Sequence, residues 1–294
     1  MTNEIDAGTR GRDALLISNS LSLAAIKIFL SRKDSSGQIL RGGHASGFFW
    51  HYQDDIYLIT NWHNCCAWDQ IENRALSPNA FTPDCIELLL ELGHDVGDGR
   101  IKRDFRQVVL DLFDSDGEPK WLEHPTFGNR VDVVAMKLAK LGSATLSNHP
   151  LNTYANFVDY DLAVGDEAFV LGYPLGLDGG PHLPIWKRAS IATEPHNDLE
   201  GMPKILIDTA TRQGMSGAPV IAVRRGLIAP RGAKGIGESI FGAAETFLGV
   251  YSGRLGADAL GAQLGIVWKA SAVDQIVRNG SRGKTPFGKD TTNT

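Results

Sequence analysis

The amino-acid sequence predicts an all-β protein built as barrels or sandwiches in two halves, and three observations predict it. Apolar runs are short and end at turn residues, 33 of the 294 residues are glycine, and there is little alternation of strands with helical stretches of the βαβ kind. With 43% hydrophobic residues the chain can bury a sizeable core, as one large or two small domains.

The elements follow in order. Residues 1–20 read as a polar leader, and Leu23 to Leu30 as a first strand. Ser46 to Trp50 and Ile56 to Thr60 read as strands joined by the turn 51–55, and a long loop is expected after His63. Ile86 to Leu92, Gln107 to Phe113 and Val131 to Leu138 complete the first half, with Asp114-Ser115-Asp116-Gly117-Glu118-Pro119 as a strong turn. Residues 141–160 read as a linker. The second half holds Ala168 to Gly172, Ile185 to Ile191, Lys204 to Thr209, Ala218 to Val223, Thr246 to Tyr251 and Ala262 to Val267. One helix is signalled near the C-terminus: Ser271 and Asp274 form an S-x-x-D capping box, Val273, Ile276 and Val277 share a face, and Gly280 is its stop. The polar tail 281–294 is expected to be disordered.

Composition excludes several classes. A net charge of −5 and the lack of a lysine- or arginine-rich run argue against a nucleic-acid surface. The longest apolar stretches are too short for a membrane span, and Met1 to Arg12 lacks a basic segment leading into an apolar one, so a cytoplasmic location is expected. Cys65, Cys66 and Cys85 make a poor disulfide framework, and the adjacent pair lacks zinc-site spacing, so no metal is expected. Gly232, Gly235 and Gly237 lack the strand-then-helix setting of a dinucleotide site.

The chemistry lies in three segments. Gly214-Met215-Ser216-Gly217-Ala218-Pro219 offers a serine bracketed by glycines, whose conformational freedom lets backbone N–H groups face an incoming carbonyl. Ser216 is the candidate nucleophile, with the N–H groups of Gly214 and Ser216 as oxyanion donors. His63, ending the apolar run Ile56-Tyr57-Leu58-Ile59 through Thr60-Asn61-Trp62, is the candidate general base and acid. Asp132, in Val131-Asp132-Val133-Val134-Ala135, is costly to bury unless paired, and the His63 imidazole is a suitable partner. Asp161 is its rival, although the following Gly165-Asp166 points to a turn. No histidine follows Ser216, which removes the α/β-hydrolase order; a subtilisin order using Asp54 or Asp55 conflicts with the β-rich pattern.

These segments resemble the chymotrypsin-like serine proteases, especially bacterial trypsin-like and HtrA-type protease domains. Besides the three above, Ser46-Gly47-Phe48-Phe49, Gly172-Tyr173-Pro174-Leu175-Gly176, Asp208-Thr209-Ala210 and Gly249-Val250-Tyr251-Ser252-Gly253 fall in family order. The resemblance implies two six-stranded antiparallel β-barrels with the triad in the cleft between them. Residues 21–145 would form the first, carrying His63 and Asp132. Residues 146–280 would form the second, with Ser216 and the C-terminal helix. It also implies a serine endopeptidase working through an acyl-enzyme without metal or organic cofactor, on a protein or peptide substrate. Ala210, Thr211 and Gln213 would border the base of the specificity pocket, and Ser252, Gly253 and Arg254 a wall. No carboxylate marks that pocket, so a small or apolar residue is expected before the cut rather than lysine or arginine, with Arg254 leaving an acidic preference open. The family's histidine-loop disulfide has no counterpart, and no PDZ-sized segment follows residue 280. Residues 224–245 form a basic, glycine-rich insertion, read as a solvated loop in preference to a site for an unidentified regulatory partner. A catalytically silent binding module and an esterase with the same triad are the alternatives.

Overall fold

The computed structural model describes residues 19–69, 73–76, 81–95, 101–138, 145–146, 149–180, 182–254 and 263–286. The expected leader lies outside the described residues as far as residue 18, and the tail from residue 287 onward.

The all-β expectation with one C-terminal helix holds. In the first half the strands are β1 (Ala25–Lys33), β2 (Ile39–Tyr52) and β3 (Asp55–Thr60), then helix α1 (Trp62–Cys66) and the small pair β4 (Trp68–Asp69) and β5 (Arg74–Ala75). There follow β6 (Cys85–Asp95), β7 (Ile101–Asp111), β8 (Trp121–Glu123), β9 (Val134–Lys137) and β10 (Thr145–Leu146). In the second half are β11 (Glu167–Gly172), β12 (Ile185–Ile191), β13 (Lys204–Asp208), β14 (Pro219–Ile228), β15 (Ile240–Arg254) and β16 (Leu264–Lys269). Helix α2 (Ala270–Asn279) and β17 (Ser281–Arg282) end the described chain.

The second half closes as expected, into an antiparallel barrel of order β11-β12-β13-β16-β15-β14. The first half is a nine-stranded sheet in the order β10-β6-β1-β2-β3-β9-β8-β17, with β7 on β6, and its ladder does not close among the described residues. It exceeds the expected six strands by three, two of which are the short β10 and the C-terminal β17 at its two ends.

Alternation along the central strands explains how the halves join. On β2, Ala45 and Phe49 enter a core internal to the first sheet, whereas Phe48 and Trp50 enter a core shared with the second half. On β3, Leu58 faces the first and Tyr57 and Ile59 the second. A period of two with both faces covered makes these strands read as continuous apolar runs. The shared core also takes Leu171, Tyr173, Ile221, Val250 and Trp268 from the barrel, and Val273, Ile276 and Val277 from α2.

Three local expectations need correction. Helix α2 starts at Ala270 with Lys269 as its cap and no side-chain capping bond, so Ser271 lies within the first turn. The reason is that β16 runs directly into it: Lys269 still pairs with Gly249, which fixes the start one residue before the serine. The tail is not disordered at its beginning, because Ser281 and Arg282 pair with Glu123 and Leu122 on the edge of β8. The 224–245 insertion is mostly a hairpin, paired from Arg224↔Ala244 to Ile228↔Ile240. Its arginines are ion-paired: Arg224 with Asp166, Arg225 with Glu167, and Arg231 with Asp159 and Asp161.

Candidate active site

His63 is the second residue of α1 and lines a cavity between the halves. It belongs to α1 rather than to the expected loop, because Trp62, Cys65 and Cys66 fall at i, i+3 and i+4 and bury together in the first sheet's core. Burial pushes all three cysteine thiols up in pKa, Cys85 to about 12. Asp132 lies just before β9, between Val131 and Val133, which are fully buried in the shared core and leave the carboxylate facing His63.

The two residues are held by several bonds at once. Asp132 Oδ2 lies 2.6 Å from His63 Nδ1, and Oδ1 accepts the His63 backbone N–H at 2.9 Å. The Asp132 carbonyl accepts from Asn61 Nδ2 at 2.6 Å. The Ser252 hydroxyl, from the second half, also donates to Asp132 Oδ2. Burial alone would lower the His63 pKa; the charge of Asp132, the hydrogen bond to it and the charge of Asp69 outweigh burial and raise it above 6.5. Asp161 is brought elsewhere: it is exposed and lies 3.2 Å from Arg231.

Ser216 is carried by a turn that is clamped to β2. Gly214 and Gly217 have φ of +95° and +85°, where a side chain is strained. A Cβ on Gly217 would also lie 2.1 Å from the Ser46 carbonyl oxygen, and one on Gly214 2.5 Å from that of Tyr173. Fully buried Ser46 ties the turn down: its N–H donates to the Ser216 carbonyl at 2.8 Å and its hydroxyl to the Gly214 carbonyl at 2.7 Å. That hydroxyl also accepts the Tyr173 N–H at 3.2 Å, and Leu175 N–H donates to the Gln213 carbonyl at 2.7 Å, so the 172–176 segment braces the same turn.

The backbone donors of the turn divide into two groups. The N–H groups of Met215, Gly217 and Ala218 donate to the carbonyls of Arg212, Tyr251 and Met215. Those of Gly214 and Ser216 have no acceptor among the described residues.

His63, Asp132, Ser216, Ser252 and Gly253 line one cavity of about 360 Å³, which continues past Trp68 and Trp268. No hydrogen bond joins His63 to Ser216 among the described residues, in contrast to the direct contact expected of a triad. The serine hydroxyl turns about a single bond, and such contacts commonly tighten only around substrate. Of the other expected substrate-binding residues, Thr211 is buried and turned inward, Ala210 is half-buried, and Gln213 is exposed. The Arg254 side chain lies outside the described residues.

Sequence reasoning missed Ser46 and placed Ser252 in a substrate wall rather than on Asp132. Their partners lie 168 and 120 residues away, so only their place in the family-like segments could have signalled them.

Comparison with known proteins adds the following. Trypsin-like peptidase domains, as a family, match residues 45–229. Among curated proteins, none matches. Among solved structures, the active form of the Rv3671c protease from M. tuberculosis is 17% identical, with 92% of this chain and 85% of that chain covered and a TM-score of 0.41. An inactive form of the same protease is 16% identical, with coverages of 88% and 89% and a TM-score of 0.38.

Proposed function

The chain belongs to the family of trypsin-like peptidase domains, and on that premise we propose that it is a serine endopeptidase with Ser216 as nucleophile, His63 as base and acid, and Asp132 as the group that orients His63. A peptide substrate follows from the family. The observation that carries the proposal is the 2.6 Å His63–Asp132 pair opening on the same cavity as Ser216.

On this reading the first half, residues 21–145, supplies base and orienter, and the second, residues 146–280, the nucleophile. Asp132 holds the proton on His63 Nδ1, leaving Nε2 to take the Ser216 proton as Oγ attacks the scissile carbonyl. The carbonyl oxygen, now negative, is received by the N–H groups of Gly214 and Ser216; loss of one such donor typically costs about 10²–10³ in turnover. His63 passes the proton to the leaving amine, which departs and leaves Ser216 acylated. Water then attacks the ester by the same route, releasing the acid and restoring the serine.

Labelling by a fluorophosphonate tests the proposal. Wild-type protein is expected to be labelled and Ser216→Ala to stay unlabelled and to hydrolyse no peptide. Full peptidase activity in Ser216→Ala would overturn the assignment.

A further inference from the structure

Three stretches of the second half converge on Ser216: residues 209–213 leading into its turn, the end of β15, and the start of β16. They are tied together. Gly217 N–H donates to the Tyr251 carbonyl at 2.8 Å, Tyr251 N–H to the Ala218 carbonyl at 2.9 Å, and Thr209 N–H to the Gln263 carbonyl at 2.9 Å. A peptide whose carbonyl rests on Ser216, with its oxygen at the Gly214 and Ser216 N–H groups, has His63 on its leaving side. On the resemblance to the chymotrypsin-like serine proteases, the side chain before the cut enters the wedge between 209–213 and 251–253.

That wedge is filled by the chain itself. Tyr251 is 1% exposed, Thr211 2% and Thr209 3%. The Tyr251 hydroxyl and the Thr211 hydroxyl are hydrogen-bonded to each other, so the ring reaches across from β15 to the segment before the nucleophile. The far wall is equally close: a methyl-sized Cβ on Gly265 would lie 2.6 Å from Tyr251 Cε2 and 3.2 Å from Thr209 Cγ2. The open cavity, about 360 Å³, touches Ser216, Ser252 and Gly253 and runs from there past His63 and Asp132 toward Trp68 and Trp268, and neither residues 209–213 nor Tyr251 nor Gly265 lines it.

We propose that the hydrogen-bonded Tyr251–Thr211 pair closes the pocket next to the nucleophile, so that the protein cleaves peptides after a small residue: glycine, alanine or serine. The inference rests on the serine-peptidase reading above and narrows the small-or-apolar expectation to small alone. Tyr251 is the specificity-determining residue.

The experiment compares peptides that differ only in the residue before the cut, carrying Gly, Ala, Ser, Leu, Phe, Lys or Glu there. Pocket discrimination runs at about 10–200-fold per methylene, so kcat/KM for alanine is expected to exceed that for leucine by about 100-fold or more in wild type. Tyr251→Ala is expected to raise the leucine-to-alanine ratio by at least about 10-fold, and Tyr251→Phe, which keeps the ring, to retain the preference for small residues. Wild-type cleavage after leucine, phenylalanine or lysine as fast as after alanine would overturn the inference. So would an unchanged profile in a Tyr251→Ala protein that still takes the fluorophosphonate. Should Tyr251→Ala not fold, the wild-type and Tyr251→Phe profiles decide. Absence of labelling in wild type would overturn the peptidase reading instead, and the inference with it, whereas labelling with large-residue cleavage would overturn the inference alone.

Discussion

Asp132 is where the two halves meet at the scale of single residues, since it receives His63 from one and Ser252 from the other. Its charge has a measurable consequence. His63 must be neutral to accept a proton, so kcat/KM is expected to rise with pH through the His63 pKa, with a midpoint above 6.5 because that pKa is raised. The sign for stability is opposite: the protonated imidazole is favoured by folding, so this stabilisation is full below 6.5 and is lost as pH rises through the higher, folded-state pKa. Asp132→Asn is expected to move the acid limb of the pH–rate profile to lower pH and to reduce kcat by about 10⁴. Steady-state profiles of both proteins check this, and a limb that stays in place would detach the His63 shift from Asp132. His63, Asp132 and Ser216 could be picked out in sequence because the local setting of each suits the chemistry proposed for it. One follows an apolar strand by three residues, one is the lone carboxylate of an apolar segment, and one sits in a glycine-bracketed turn. Ser46 and Ser252 were not legible, because a serine in or beside a strand has no local mark; what gives it a role is a partner from the other half.

Among elements, α1 is held from behind by the chain's last described segment. Glu123 on β8, 2% exposed, accepts at Oε1 from the indoles of Trp62 and Trp121, each at 3.1 Å, and from the Lys284 N–H at 2.7 Å. The Trp62 indole also donates to the Lys284 carbonyl at 3.2 Å. Glu123→Ala would strand the buried Trp121 indole and take the acceptor from the Lys284 N–H, at about 1–3 kcal/mol each, while the Trp62 indole keeps the Lys284 carbonyl. A loss of at least about 2 kcal/mol in unfolding free energy is therefore expected in a denaturant titration. A loss below about 1 kcal/mol would mean that water reaches the site. None of this was legible, since a lone glutamate in Trp121-Leu122-Glu123 looks like a solvated strand residue and a polar tail like a disordered one. The α2 face was legible from its 3.6-residue period, but its start was not, because strand pairing overrode a good capping sequence. The 224–245 hairpin was hidden by its glycines and alanines, which weaken alternation even where a ladder forms.

For the whole molecule, the shared core sets the cooperativity. Phe48 and Ile59 of the first half pack in one cluster with Val250 and Trp268 of the second and with α2. The halves are expected to unfold in a single transition, with tryptophan fluorescence and far-UV circular dichroism giving the same midpoint. Two separated midpoints would show that the shared core does not couple them. Strand-rich architecture in two halves was legible from turn spacing; the joining surface was not, because a run such as Ser46 to Trp50 gives no sign that its two faces enter different cores. The pairing of β17 with β8 also bears on time. A chain is made from its N-terminus, so residues 281–284, which back the helix of His63, are synthesised after all the other described elements. A nascent chain that has already made Ser216 still lacks the support behind His63. The bonds that complete that support form only once residue 284 has emerged, which delays a fully braced site until the barrel around it has been made.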